Sequence, residues 1–182
     1  RDINIDAGVT LFSTKTITLS AGDASAPSPD PVGKINVNGT LQSDSNLLLS
    51  APGGFNVAAT GTVNATNLTV TTNDADVTAT GNLLIANNAS FSVGTGNVSL
   101  TSTANNFVNT VSVNSGGPTA GTVQITDGAA GFVLGDIDAT ALTVDTSASN
   151  GALTQDPGKS IAVTGVTTLN TGTGSITLGN GG

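Results

Sequence analysis

The sequence contains no cysteine, histidine, methionine, tryptophan or tyrosine, and every one of its acidic residues is aspartate. Without cysteine there is neither a disulfide framework nor a thiolate nucleophile. Without histidine or glutamate, a Ser-His-Asp triad and the common zinc ligand sets are excluded, and no cofactor or metal is expected. Positive charge is nearly as scarce. Arg1, Lys15, Lys34 and Lys159 stand singly in a chain of formal net charge −8, so no stripe of cations exists to neutralise a phosphate backbone and nucleic acid is not an expected partner. No apolar run approaches the roughly 20 residues of a membrane-spanning helix, and no charged-then-apolar signal region opens the chain. Of the strong helix formers, glutamate and methionine are missing and lysine and arginine are rare, which argues against an α-helical fold.

What is present is threonine, valine, asparagine and glycine, the vocabulary of strands and turns. Residues 3 to 20 give three short alternating runs: Ile3 and Ile5, Val9 and Leu11, Ile17 and Leu19. A spacing of two with polar residues between marks a strand with one buried face. Residues 22–33, GDASAPSPDPVG, hold three prolines that a central strand could not accommodate. They read as a loop thrown outward, because Leu11, Ile17 and Leu19 resume register with Leu41, Leu47 and Leu49 beyond it. From Gly33 to Thr103 the pieces NLLL, NLTV, NLLI and NVSL begin at Asn46, Asn67, Asn82 and Asn97. Asparagine tolerates left-handed backbone, so these positions suit corners between strands. The pairs Val111 with Val113, Val123 with Ile125 and Phe132 with Leu134 continue the alternation.

Strands of four or five residues joined by a few turn residues leave no room for crossover helices, so either antiparallel hairpins or the corners of a parallel solenoid must connect them. A long repeat decides between these. Residues 63–70 read VNATNLTV and 137–144 read IDATALTV. Leu83 and Ile85 recur as Ile161 and Val163, Phe91 as Leu169, and residues 94–100 (GTGNVSL) as residues 172–178 (GTGSITL). The offset grows from roughly 74 to roughly 78 residues, as a small loop insertion near Asp156-Pro157-Gly158 would produce. A sandwich has no reason to rewrite its strands at that distance, whereas a solenoid does. The expected fold is therefore all-β, a parallel β-solenoid of roughly 20 residues per coil, about nine coils and on the order of 40 Å long. Residues 1–182 form one solenoid segment, with 61–101 and 135–179 as related repeat units. The chain opens without methionine and closes on glycines, which reads as a piece of something longer.

The stretches NNFVNTVSV, VQITDG, LGDIDATALTV, GALTQ and TTLNTGTGSITL resemble the repeat units of bacterial filamentous haemagglutinin-type adhesins, closely from Asn105 onward and in style before that. The resemblance implies a right-handed parallel β-helix at the bacterial cell surface, exported through an outer-membrane transporter and acting in adhesion or biofilm formation. Independently of the resemblance, the uncapped strand edges of a solenoid segment are expected to meet adjacent coils of the parent polypeptide or other copies, end to end or laterally, and host or matrix glycans or proteins are further expected partners.

For chemistry, only aspartate pairs remain. Asp74 with Asp76, and Asp136 with Asp138, each place two carboxylates on one strand face, as some β-helical polysaccharide-cleaving enzymes do for acid/base work or calcium binding. The competing reading is an outward polar face, favoured because the pairs are not equivalent in the repeat and no cation is near in sequence. The glycines of GTG at 94–96 and 172–174 read as turns. Asn38, Asn64, Asn67, Asn88 and Asn97 open Asn-x-Ser/Thr triplets that are formal glycosylation acceptors. Thr-x-Thr at Thr16/Thr18, Thr69/Thr71 and Thr78/Thr80 suggests the threonine arrays of ice-binding solenoids, without recurring once per coil. The leading expectation is a structural shaft segment with no active site; a carbohydrate-acting or carbohydrate-binding helix and an ice-binding solenoid are the alternatives. Register predicts one continuous core made by Leu47, Leu49, Leu68, Val70, Leu83, Ile85, Val98, Leu100, Leu142, Val144, Ile161, Val163, Ile176 and Leu178.

Overall fold

The computed structural model of the protein describes residues 1–22, 33–114 and 116–179. In chain order the strands are β1 Ile3–Ile5, β2 Thr10–Ser13, β3 Ile17–Ser20, β4 Ile35–Val37, β5 Thr40–Ser50, β6 Phe55–Val57, β7 Thr62–Thr71, β8 Val77–Ala79, β9 Asn82–Ile85, β10 Ala89–Ser92, β11 Val98–Leu100, β12 Asn106–Phe107, β13 Thr110–Val113, β14 Ala120–Thr126, β15 Gly131–Asp145, β16 Ala152–Gln155, β17 Ile161–Val163, β18 Thr167–Asn170 and β19 Ile176–Thr177. All pairings among them are parallel and each joins one coil to the next, so the fold is a β-solenoid.

Three ladders run along the axis. The first face is β1, β4, β6, β8, β11, β14, the end of β15 and β18. The second face contains β2, the starts of β5 and β7, then β9 and β12, and above them the start of β15, β16 and β19. Between β12 and β15 on this face the rings of Phe107 and Phe132 meet edge to face, with centroids 6.1 Å apart. The third face is β3, the ends of β5 and β7, β10, β13, the middle of β15, and β17.

Along the first face Ile3 pairs with Ile35, which begins a series continuing through Phe55, Val77, Val98, Val123 and Leu142 to Thr167. From Ile35 onward a coil averages about 22 residues, somewhat more than the sequence alone suggests, and the coils are unequal in length. The first coil is longer because it includes residues 23–32, the body of the expected outward loop, which lie outside the described residues. The stack therefore rises through seven steps, about 34 Å at the 4.7–4.9 Å strand spacing, shorter than nine coils would give.

The core is the inward side of all three ladders. Leu11 pairs with Leu41, Ile17 with Leu47 and Leu19 with Leu49, as the alternation predicts. Leu47, Leu49, Leu68, Val70, Leu83, Ile85, Val98, Leu100, Leu142 and Val144 are buried. Ile161 and Val163 are only partly buried, and Ile176 and Leu178 are 46% and 41% exposed. Those four belong to the last coil described, where no further coil covers the inward side. At the other end Val9 and Leu11 are exposed for the same reason, whereas Phe12, paired with the outward Gln42, is exposed because it points away from the core.

Corners follow from local chemistry. Gly39, Gly61 and Gly81 precede successive second-face strands, and a Cβ at Gly61 would lie 2.2 Å from the Val37 carbonyl oxygen of the coil below. Only glycine lets the chain pass that close. Asn46, Asn67, Asn82 and Asn97 do not hold left-handed backbone; among the described residues the non-glycine residues that do are Asp74, Asn114 and Asn150. Asn46 and Asn67 instead stack in register, and the Asn67 Nδ2 donates to Asn46 Oδ1 at 2.9 Å. The chain of amides continues through Asn87 to Asn109, at 2.9 Å for each step. This asparagine ladder runs through four consecutive coils where the second face turns into the third.

Candidate functional site

Asp74 and Asp76 lie in the connection between β7 and β8, not on a strand face. Asp74 has φ +57 and its Oδ1 accepts the Thr95 N–H at 2.7 Å and the Thr95 hydroxyl at 3.1 Å. The Asp76 Oδ1 accepts the Asn97 N–H at 2.8 Å and the Asn97 Nδ2 at 3.0 Å. Both carboxylates thus anchor the Gly94-Thr95-Gly96 turn of the next coil. Gly94 has φ +57, in keeping with a turn between β10 and β11.

The second repeat copy repeats this corner with an amide. Asn150 has φ +54, its Oδ1 accepts the Thr173 N–H at 3.0 Å, and Gly172 beside it has φ +61. Position 76 has its counterpart in Ala152. A carboxylate that an asparagine replaces in the same role is there to accept hydrogen bonds, and its charge is secondary.

Asp136 and Asp138 flank the buried Ile137 and point outward from the middle of β15. Folding brings a cation that sequence distance conceals: the Lys159 Nζ donates to Asp136 Oδ2 at 3.1 Å, and the Ser160 N–H to Asp136 Oδ1 at 3.0 Å. The Asp156–Lys159 loop, where the repeat offset grows, carries that lysine. Asp136, Asp156 and Lys159 edge an open trough of about 340 Å3 that also includes Asn88, Ser90 and Asn109. Asp76 edges a separate trough of about 420 Å3 with Lys34, Asn36 and Thr78. The two aspartate pairs therefore do not converge, and among the described residues no group of three acidic side chains could hold a metal ion.

Asn67 and Asn97 use their amide nitrogens on Asn46 and Asp76, while Asn38 and Asn64 are half-buried and Asn88 is exposed. Thr69 stands outward on the third face between Leu48 and Ser90, and Thr78 on the first face between Asn56 and Ser99, so neither column is threonine throughout.

Sequence reasoning passed over the buried polar side chains at the corners, three of which accept N–H groups of an adjacent coil. Asn105 Oδ1 accepts the Leu83 N–H at 2.9 Å and its Nδ2 donates to the Thr126 carbonyl at 2.9 Å. One coil on, at the same corner, fully buried Asp127 accepts the Phe107 N–H at 3.0 Å and the Ala129 N–H at 3.1 Å. Asn114 accepts the Val93 N–H at 2.7 Å. Each supplies a partner that the interrupted ladder lacks. Burial pushes the Asp127 carboxyl up to about 6, against the lowering effect of those two N–H groups. The one-coil spacing from Asn105 to Asp127 was the available signal, hidden within turn-rich segments.

Comparison with curated proteins and with solved structures finds no match. A family model matches residues 44–114 and again residues 120–182, more than half of the chain, and the second match begins one internal repeat beyond the start of the first. The chain therefore belongs to the family described as Repeats of unknown function (DUF5649).

Proposed function

We propose that this chain is a structural shaft segment of a bacterial cell-surface adhesin or filament, contributing to attachment or biofilm through an extended rod and carrying no active site of its own. The observation that carries this reading is the use made of the aspartates. Asp74 and Asp76 hold the turn of the next coil, Asp136 is paired with Lys159 and a backbone N–H, and an asparagine does the work of Asp74 in the second copy. The uninterrupted first-face ladder supports it further, since stacked coils transmit length from one end to the other. Partners on this reading are the neighbouring coils of the parent polypeptide, other copies, an outer-membrane transporter during export, and host or matrix glycans or proteins met at the far end of the rod.

The test is an adhesion assay on displayed protein carrying Asp74→Asn, Asp76→Asn, Asp136→Asn and Asp138→Asn together. Adhesion at the wild-type level is expected. Loss of adhesion in a variant that is still folded and displayed would assign these carboxylates to a binding or cleaving site.

A further inference from the structure

The two copies of the repeat do not sit above one another. Val63 lies on the second face and its counterpart Ile137 on the third; Leu68 lies on the third and Leu142 on the first; Val77 lies on the first and Leu153 on the second. The pattern holds to the end. Leu83 on the second face answers to Ile161 on the third, Phe91 on the third to Leu169 on the first, and Val98 on the first to Ile176 on the second. Every matched strand moves on by one face. Corner chemistry moves with it, since the Asp74 corner joins the third face to the first and the Asn150 corner joins the first to the second. Ten strands separate equivalent positions, which is three coils and one further face.

A displacement of this kind is tolerated because the three faces are alike. Each is a ladder of short strands whose inward residues are mostly apolar, and at each of the three kinds of corner a side-chain oxygen accepts an N–H group of an adjacent coil. A strand built for one face meets the same demands on the next.

We infer that the family repeat is a ten-strand screw unit, so that tandem copies turn each repeated outward side chain onto the next of the three faces and offer a partner the same surface all round the rod. Each copy advances about 16 Å along the axis with a third of a turn, and three copies complete about 48 Å and one full turn. This deepens the shaft reading. Such a surface suits contact made from any side, and on any one face equivalent sites return only after three copies, about 48 Å apart.

The cysteine-free sequence makes the test direct. Deleting Val63 through Asp136 joins Thr62 to Ile137. If the unit is a screw, Ile137 then stacks on Leu41 as Val63 did, and Thr143 lies beside Leu48, where Thr69 lay. If faces are kept instead, Thr143 stays on the first face beside Asn56. In the deletion variant the Leu48→Cys/Thr143→Cys pair is expected to cross-link with a short bifunctional thiol reagent as fully as Leu48→Cys/Thr69→Cys does in the intact chain, and Asn56→Cys/Thr143→Cys is not. The reverse pattern would overturn the inference. A second variant guards against loss of a short rod: an extra copy of Val63–Asp136 inserted after Asp136 should place its own Thr69→Cys beside Gln124→Cys, the present neighbour of Thr143. Cross-linking there to Ser112→Cys on the third face, or failure of both variants to fold, would equally overturn it. Adhesion plays no part in this readout, so the shaft reading and the screw can fail separately.

Discussion

Asp127 is the only ionisable side chain among the buried described residues, and it has no cation beside it. Its folded carboxyl titrates near 6 against 3.8 for an unperturbed one, so the folded state holds the proton more tightly than the unfolded state. The resulting stabilisation is complete below the unfolded value and is lost as pH rises through about 6. A difference of that size corresponds to about 3 kcal/mol at most. Asp145 works in the opposite sense: the Ser147 hydroxyl and N–H hold its carboxyl below the usual range, so its contribution disappears only on acidification. Melting temperature should therefore fall between pH 4.5 and 7 in the wild type. It should fall less steeply in Asp127→Asn, which puts at this corner the amide that Asn105 already carries one coil below. Equal slopes in the two proteins would show that Asp127 is not the cause.

Among the elements, the inward pairs and the strand starts were legible because alternation sets the inward side by one rule in every coil. Corners were less so. The asparagine that opens NLLL and NLTV was readable as a corner residue, but its reason is a lateral amide ladder between coils, which a linear sequence shows only once the coil length is known. Asn67 gives and receives in that ladder, donating to Asn46 and accepting from Asn87 Nδ2 and the Asn88 N–H. Asn67→Ala removes all three bonds from a half-buried site and should cost about 1–3 kcal/mol, at roughly 1 kcal/mol for each net hydrogen bond. Chemical denaturation of the variant measures it. A change below a few tenths would mean that water replaces the ladder without loss. The Lys159–Asp136 pair was invisible for a similar reason, since its partners are joined by coil stacking and not by sequence proximity.

For the whole molecule, the sequence repeat was plain, but its relation to the coils was not, because corners of differing length make the coils unequal. The repeat offset is compatible with three long coils or four short ones, and it becomes three and a third only at the observed mean of about 22 residues per coil. The same stacking that hides this relation explains why Ile176 and Leu178, correct in alternation, are exposed: inward direction is a property of the strand, while burial needs the next coil. A uniform rod, in which stacked coils and not a site carry the contribution of this chain, is measured most directly by small-angle scattering on the intact protein and on the variant lacking Val63–Asp136. The expected result is an unchanged cross-sectional radius of gyration with a length shorter by about 16 Å, ten strands at three per coil and 4.7–4.9 Å per coil. A changed cross-section, or a deleted chain that scatters as an unfolded one, would contradict it.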